Sequence, residues 1–148
     1  MNIHISQLRP NSIAEFSALT RIFEEVFEWK NFIMPSFSHY EKLLANPAFM
    51  VFVAKERDKI VGGLTVHILQ KYDTEKPSAY IYDLAVITDL QRKGIGRLLI
   101  AAVIDYCKKN CFDEVFVQAE TEDLQAVNFY RTTPFSEELQ ATHFTYTF

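Results

Sequence analysis

A glycine-containing segment, residues 91–97, has the residue types that bind anions. It reads Gln-Arg-Lys-Gly-Ile-Gly-Arg, between an apolar strand pattern and an amphipathic helical pattern. About four or five backbone NH groups at such a helix start have no carbonyl partner inside the helix, and the peptide dipoles add positive charge there. Gly94 and Gly96 let the backbone approach a ligand closely. Further charge comes from Arg92, Lys93 and Arg97, so the segment predicts a diphosphate site.

Two better-known phosphate loops do not fit this segment. The Walker pattern G-x-x-x-x-G-K-[ST] is absent, and a dinucleotide fingerprint would need a third glycine where the chain has Leu99. The pattern Gln91-x-x-Gly94-x-Gly96, directly after a strand that ends at Val86, resembles the acetyl-CoA-binding motif of the GNAT acetyltransferase superfamily. The alternative is an ordinary strand-to-helix turn. Such a turn would not require a strand, basic residues and an amphipathic helix to follow one another at the spacing of the motif.

The resemblance implies acetyl-CoA as co-substrate and no metal. The pantetheine arm contains two amides, so it is expected to pair with exposed backbone of the preceding strand, while the glycine segment holds the pyrophosphate. The residues expected to bind acetyl-CoA are Leu84, Ala85, Val86, Gln91, Arg92, Lys93, Gly94, Ile95, Gly96, Arg97 and Asn128.

A second motif lies at residues 123–130, which read D-L-Q-A-V-N-F-Y. It resembles the superfamily pattern N-x-x-A-x-x-F-Y, with Asp123 in place of the usual Asn. Tyr130 matches the tyrosine that protonates the departing thiolate in many members, a task that suits a phenol because it is neutral at pH 7. An aromatic residue on a helix is more often part of the core, and here only the motif favours a catalytic role. Pro134 stands where relatives commonly have Gly.

Four carboxylates fall near the ends of two predicted neighbouring strands. Asp83 lies on the strand before the glycine segment, and Glu120, Glu122 and Asp123 follow the next strand. The C-terminal ends of parallel strands form a ligand crevice, so these acids should surround the acceptor side. An alkyl amine titrates at about 10.4 and must lose a proton before it attacks a thioester. Asp83 is the candidate base; the alternative is that it pairs with a buried polar group.

Three features together resemble the aminoglycoside 3-N-acetyltransferases within the superfamily. They are Y-I-Y-D-L-A-V at residues 80–86, Q-A-E-x-x-D-x-x-A-V-x-x-Y at residues 118–130, and His143-Phe144. The resemblance implies acetyl transfer to the 3-amino group of the deoxystreptamine ring by direct attack in a ternary complex. It implies Asp83 as base or amine anchor and Tyr130 as the acid. The expected substrate contacts are Tyr82, Asp83, Glu120, Glu122, Asp123 and His143, although a lone histidine among aromatic residues is as often structural.

Composition limits the other functions. The chain has 148 residues, which suits a single domain over residues 1–148. Its net charge of −4 argues against nucleic-acid binding and is compatible with a cationic small-molecule amine. No apolar run is long enough to span a bilayer and the N-terminus lacks a signal-peptide pattern, so we expect a cytoplasmic protein without membrane contact.

Hydrophobic periodicity predicts the elements that hold these residues in place. We expect a first strand, a helix to about Phe27, a hairpin with a bulge or a close approach at Gly62-Gly63, the strand into the glycine segment, and a helix to Asn110. A short strand, a helix with Asp123 as N-cap and two closing strands over residues 137–148 should follow. The predicted class is α/β with the GNAT fold, a mixed and mostly antiparallel sheet of about six to seven strands flanked by about four helices.

Two other functions remain open at this level. The acceptor can instead be a polyamine, a peptide amine or another small amine, and the chain can instead be a CoA-binding module without catalysis. The superfamily often forms dimers, so we also expect a homodimer, in which the terminal residues 142–148 can pair between chains.

Overall fold

The computed structural model describes residues 1–148, which form two compact units, Met1–Val117 and Gln118–Phe148. The first unit holds a sheet of five strands whose spatial order follows the chain. Neighbours are antiparallel from the first to the fourth strand, and the last pair is parallel. The strands are β1 (Ile3–Gln7), β2 (Phe49–Glu56), β3 (Lys59–Leu69), β4 (Ser78–Val86) and β5 (Glu114–Val117).

Three helices of the first unit cover this sheet. Phe16 of the first helix contacts Phe49 of β2, with ring centroids 5.8 Å apart, whereas Tyr106 of the third helix contacts Phe52, at 6.1 Å. Phe49 and Phe52 are an odd number of residues apart, so they point to opposite faces of the sheet. The helices are α1 (Ile13–Val26), α2 (Phe37–Ala45) and α3 (Ile95–Lys109), with a 3₁₀ turn at Thr88–Leu90; α4 (Leu124–Arg131) lies in the second unit.

The centre of the sheet is packed tightly against α1. A Cβ added at Gly63 would lie 2.7 Å from the carbonyl oxygen of Phe52 and 2.8 Å from the side chain of Leu19. A Cβ added at Gly62 would lie 2.8 Å from the carbonyl oxygen of Ala85. The close approach predicted for these two glycines is therefore confirmed, and only the smallest residue fits there.

The α/β class, the mixed and mostly antiparallel sheet and the four helices are confirmed, but the predicted count of six to seven strands is wrong. The difference lies in residues 137–148, which form no strand and no backbone–backbone hydrogen bond. Their alternation of Thr with aromatic residues suits a strand, but a strand also needs a neighbour to pair with. Phe144, Tyr146 and Phe148 remain exposed. None of the four helices has the length and apolar character needed to cross a membrane.

Candidate active site

The site begins where β4 stops pairing with β5. The parallel ladder joins Ser78 to Ile81 of β4 with the four residues of β5, and it ends there. On their other side, residues 84–86 pair with β3, and Tyr82 and Asp83 lie in a bulge of that ladder. One edge of β4 is therefore open over residues 82–86, which include the three residues predicted to pair with a pantetheine arm. An extended ligand with amide groups can add to such an edge by strand-like hydrogen bonds.

The glycine loop, residues 92–97, follows this open edge and leads into α3. The first hydrogen bond of the helix is donated by the Leu98 amide to the Gly94 carbonyl, at 3.1 Å, and none of the amides of residues 92–97 donates to another group of the chain. Both Arg92 (φ 63°) and Gly94 (φ 87°) have left-handed backbone, which is uncommon for a residue with a side chain. A backbone that switches between left-handed and right-handed conformations directly before a helix start forms an anion-binding site.

The surroundings of the glycine loop also fit an anionic ligand. Its three basic side chains are exposed and take part in no ion pair of the chain; they are Arg92, Lys93 and Arg97. A Cβ at Gly94 would meet no atom within 4 Å, so the space beside the loop is open and the glycine is needed for its backbone angle. Gln91 Nε2 donates to the Val86 carbonyl at 2.9 Å, which fixes the end of β4 to the start of the loop. These residues fit acetyl-CoA.

Asp83 lies in a β-bulge on the open part of β4. Leu84 pairs with Leu64 and Ile81 pairs with Val66, so two residues of β4 stand opposite the single residue Thr65 of β3. The Asp83 amide donates to the Thr65 hydroxyl, at 3.3 Å, instead of to a ladder carbonyl. A bulge changes the direction of a side chain and often lies next to an active site. Thr65 was not predicted; its only signal was a lone hydroxyl in an apolar strand.

The Asp83 carboxyl group has the properties of a base. It is half-buried and forms no ion pair or hydrogen bond with another side chain. Desolvation by burial raises the pKa of this carboxyl group above its ordinary value of 3.8. A carboxylate whose charge is poorly solvated gains more from accepting a proton or binding a cation than an exposed one does.

Aromatic rings adjoin Asp83. Tyr82, predicted as a substrate contact, is 58% exposed, and its ring contacts His67 and Tyr80 edge-on at 5.5 Å and 6.0 Å. The pKa of Tyr80 is raised, mainly by burial and further by the neighbouring Tyr82 and Asp83. The site residues predicted from the sequence did not include His67 or Tyr80, because the pairing of β3 with β4 is what brings these rings to Tyr82.

The remaining predicted residues lie in the second unit. Asp123 is confirmed as the N-cap of α4, since its carboxylate accepts from the Ala126 amide at 3.1 Å. That hydrogen bond gives Asp123 a structural role at the start of α4. Tyr130 is half-buried on α4, with its ring 5.0 Å from that of Phe129. The other predicted site residues of this unit are exposed, namely Glu120, Glu122, Asn128 and His143.

Comparison with known proteins finds acetyltransferases at the levels of family, sequence and structure. Residues 16–133 match the model of the acetyltransferase (GNAT) family. The chain is 49% identical to an aminoglycoside acetyltransferase from an uncultured soil metagenomic sample, solved in complex with sisomicin (TM-score 0.98, covering 99% of this chain and 96% of that one). A second aminoglycoside acetyltransferase from an uncultured soil metagenomic sample is 31% identical (TM-score 0.89, covering 99% and 100%). The ribosomal-protein-alanine N-acetyltransferase from Brucella melitensis shares the fold at 18% identity (TM-score 0.77, covering 99% and 100%).

The raised pKa of Asp83 predicts how stability depends on pH. Between pH 3.8 and its folded pKa the native state binds more protons than the unfolded state, so the free energy of unfolding falls as pH rises through that window. Asp83→Asn removes this contribution. We therefore expect the free energy of unfolding of the variant, relative to that of the wild type, to be higher at pH 7 than at pH 3. Urea unfolding at both pH values measures this difference.

Asp73→Asn, in the exposed loop after β3, is the matched control and should show no such gain. A stability difference between the Asp83→Asn variant and the wild type that is equal at both pH values would contradict the half-buried, unpaired state of the Asp83 carboxylate.

Proposed function

The chain belongs to the acetyltransferase (GNAT) family and is an acetyl-CoA-dependent N-acetyltransferase, and we propose that it acetylates a primary amine of an aminoglycoside. The observation that carries this proposal is the 49% identity, over 99% of this chain, with an aminoglycoside acetyltransferase solved in complex with sisomicin. The second relative, at 31% identity, supports the same class of acceptor. An acidic chain with an unpaired carboxylate beside an open strand edge is also suited to a polycation.

In the proposed reaction Asp83 activates the amine. The acceptor nitrogen is protonated near neutral pH and loses a proton to the Asp83 carboxylate, directly or through a water. The free amine attacks the thioester carbonyl, so a C–N bond forms as the C–S bond breaks. The raised pKa of Asp83 favours this role, because a base is more effective when its pKa lies closer to the working pH.

The co-substrate is bound by backbone groups in this proposal. The amides of the glycine loop bind the pyrophosphate, its exposed basic side chains add charge, and the open edge of β4 pairs with the pantetheine arm. Tyr130 donates its phenolic proton to the departing thiolate. The nitrogen loses its second proton as the amide forms, and that proton returns to the Tyr130 phenolate, while the first proton stays on Asp83 until it passes to solvent. The reaction as written uses no metal.

The finer assignments rest on the sequence resemblance. We propose the 3-amino group of the deoxystreptamine ring as the acceptor, with the other ammonium groups bound by exposed acids of the second unit. Those acids are Glu120, Glu122 and Asp123, and His143 is a further proposed contact. One carboxylate oxygen of Asp123 already caps α4, so Asp123 would bind a substrate ammonium group through its second oxygen. The proposed place of action is the cytoplasm, where acetyl-CoA is available, and nucleic acid and membrane have no part in it.

Turnover of sisomicin tests the acceptor class directly. We expect thiol release from acetyl-CoA with sisomicin, and mass spectrometry with NMR of the product should place one acetyl group on the 3-amino nitrogen. A product acetylated at a different nitrogen would reject only the position. Absence of turnover across a panel of deoxystreptamine antibiotics, together with turnover of a polyamine or peptide amine, would reject the acceptor class.

Two substitutions test the proton transfers. Asp83→Asn should lower kcat by about 100-fold or more while the affinity for CoA, measured by calorimetry, stays unchanged.

Tyr130→Phe should lower kcat by a smaller factor, and the loss should shrink when the thioester has a leaving thiol of low pKa. Full activity of the Asp83→Asn variant would refute Asp83 as the base, and a leaving-group effect identical to that of the wild type would refute Tyr130 as the acid.

The homodimer is a separate proposal. Residues 142–148 have a strand-like alternation and no backbone partner within the chain, so they are suited to pair with the same residues of a second copy. Light scattering should give twice the 17.2 kDa chain mass, and deletion of residues 142–148 should return it to that of one chain. A monomeric full-length protein would reject the proposal.

A further inference from the structure

Five aromatic rings form a continuous row across one face of the sheet. The rings of Phe49 and His67 lie 5.1 Å apart, His67 and Tyr82 5.5 Å, Tyr82 and Tyr80 6.0 Å, and Tyr80 and Phe116 4.8 Å. We call Phe49, His67, Tyr82, Tyr80 and Phe116 the aromatic row. It takes side chains from four strands, and it reaches the part of β4 where the pairing with β5 ends.

Tyr82 is the exposed member of the aromatic row. Phe49 is buried beneath α1 and the other three rings are half-buried, whereas Tyr82 is 58% exposed. His67 and Tyr80 contact it edge-on, with interplanar angles of 81° and 79°, so its orientation is fixed from two sides. Exposing a large ring on a strand while holding it in place lowers the entropy cost of binding a ligand against it.

The charges near the aromatic row favour a cationic ligand. The segments that carry it in β4 and β5 contain no Lys or Arg, and Lys71, which follows β3, is ion-paired with Asp113 at 2.6 Å. Tyr82 and Asp83 are the two residues of the bulge that stand opposite Thr65, so the strand does not alternate between them, and the half-buried Asp83 carboxylate has no partner in the chain. A π-face beside an unpaired carboxylate suits a ring that carries both C–H groups and an ammonium group.

We propose that the aromatic row is the acceptor subsite, in which the apolar face of an aminated sugar or cyclitol ring stacks on Tyr82 while its ammonium group faces Asp83. This inference rests on the proposed function and adds a substrate-binding surface to it. Tyr82 determines specificity through its π-face, and His67 and Tyr80 are positioning residues that act through it. The subsite selects rings with adjacent amines over flexible polyamines, because a linear chain presents no flat face to stack.

The test compares three variants by calorimetry with sisomicin and, separately, with CoA. Tyr82→Leu keeps an apolar side chain against His67 and Tyr80 but removes the π-face, so we expect sisomicin to bind about 5- to 30-fold more weakly. Tyr82→Phe keeps the ring and should stay within about 2-fold of the wild type. Tyr72→Leu, at a fully exposed tyrosine whose ring contacts none of the aromatic row, is the matched control and should change neither affinity.

Steady-state kinetics provides the second readout. Tyr82→Leu should raise KM for sisomicin with little change in kcat or in KM for acetyl-CoA, whereas a general structural role would lower the affinity for both substrates. An equal loss of CoA affinity in this variant, or a sisomicin affinity equal to that of the Tyr72→Leu variant, would overturn the subsite.

The wild type separates this inference from the proposed function. If the wild type acetylates sisomicin and the Tyr82→Leu variant binds it equally well, the subsite is wrong and the proposed function stands. If the wild type neither binds nor acetylates any aminoglycoside, the proposed function is wrong and the subsite falls with it.

Discussion

The candidate site consists mainly of backbone NH and C=O groups that form no hydrogen bond within the chain. β4 loses its parallel neighbour after Ile81, and the glycine loop then presents a run of amides before α3 makes its first hydrogen bond. Unpaired backbone groups in the body of a protein are costly, so they are rare where no ligand or water meets them. The Gln91 side chain, bonded to the Val86 carbonyl, holds the two sets next to each other, and together they fit the extended, anionic co-substrate of the proposed function.

The same opening of the sheet gives Asp83 its chemistry. The bulge opposite Thr65 moves Asp83 out of the regular ladder and leaves its carboxylate half-buried without a cationic partner. This arrangement lowers stability once the carboxylate is charged, and it keeps the group ready for a proton or an ammonium group. Stability is lowered at the residue that the proposed reaction uses as its base, and the close packing around Gly62 and Gly63 holds the neighbouring strands in place.

The parts of the fold that were predictable depend on local signals. Periodicity over residues 91–110 was enough to locate α3, with the glycines and basic residues at its start, and the position of Asp123 before an apolar helical pattern was enough to identify a cap. The strands predicted at residues 137–148 failed because strand propensity does not supply a pairing partner. The bulge at Asp83 and the aromatic row were not predictable, because both depend on the register between strands distant in the sequence.

The most direct test of the co-substrate surface follows the backbone amides themselves. In an NMR titration of ¹⁵N-labelled protein with CoA, we expect saturable shifts that are largest at residues 92–97 and extend to residues 84–86. The pyrophosphate and the pantetheine amides would account for these two groups of shifts respectively. CoA binding that leaves the amides of residues 92–97 unshifted, or no saturable binding by folded protein, would contradict the assignment of this surface.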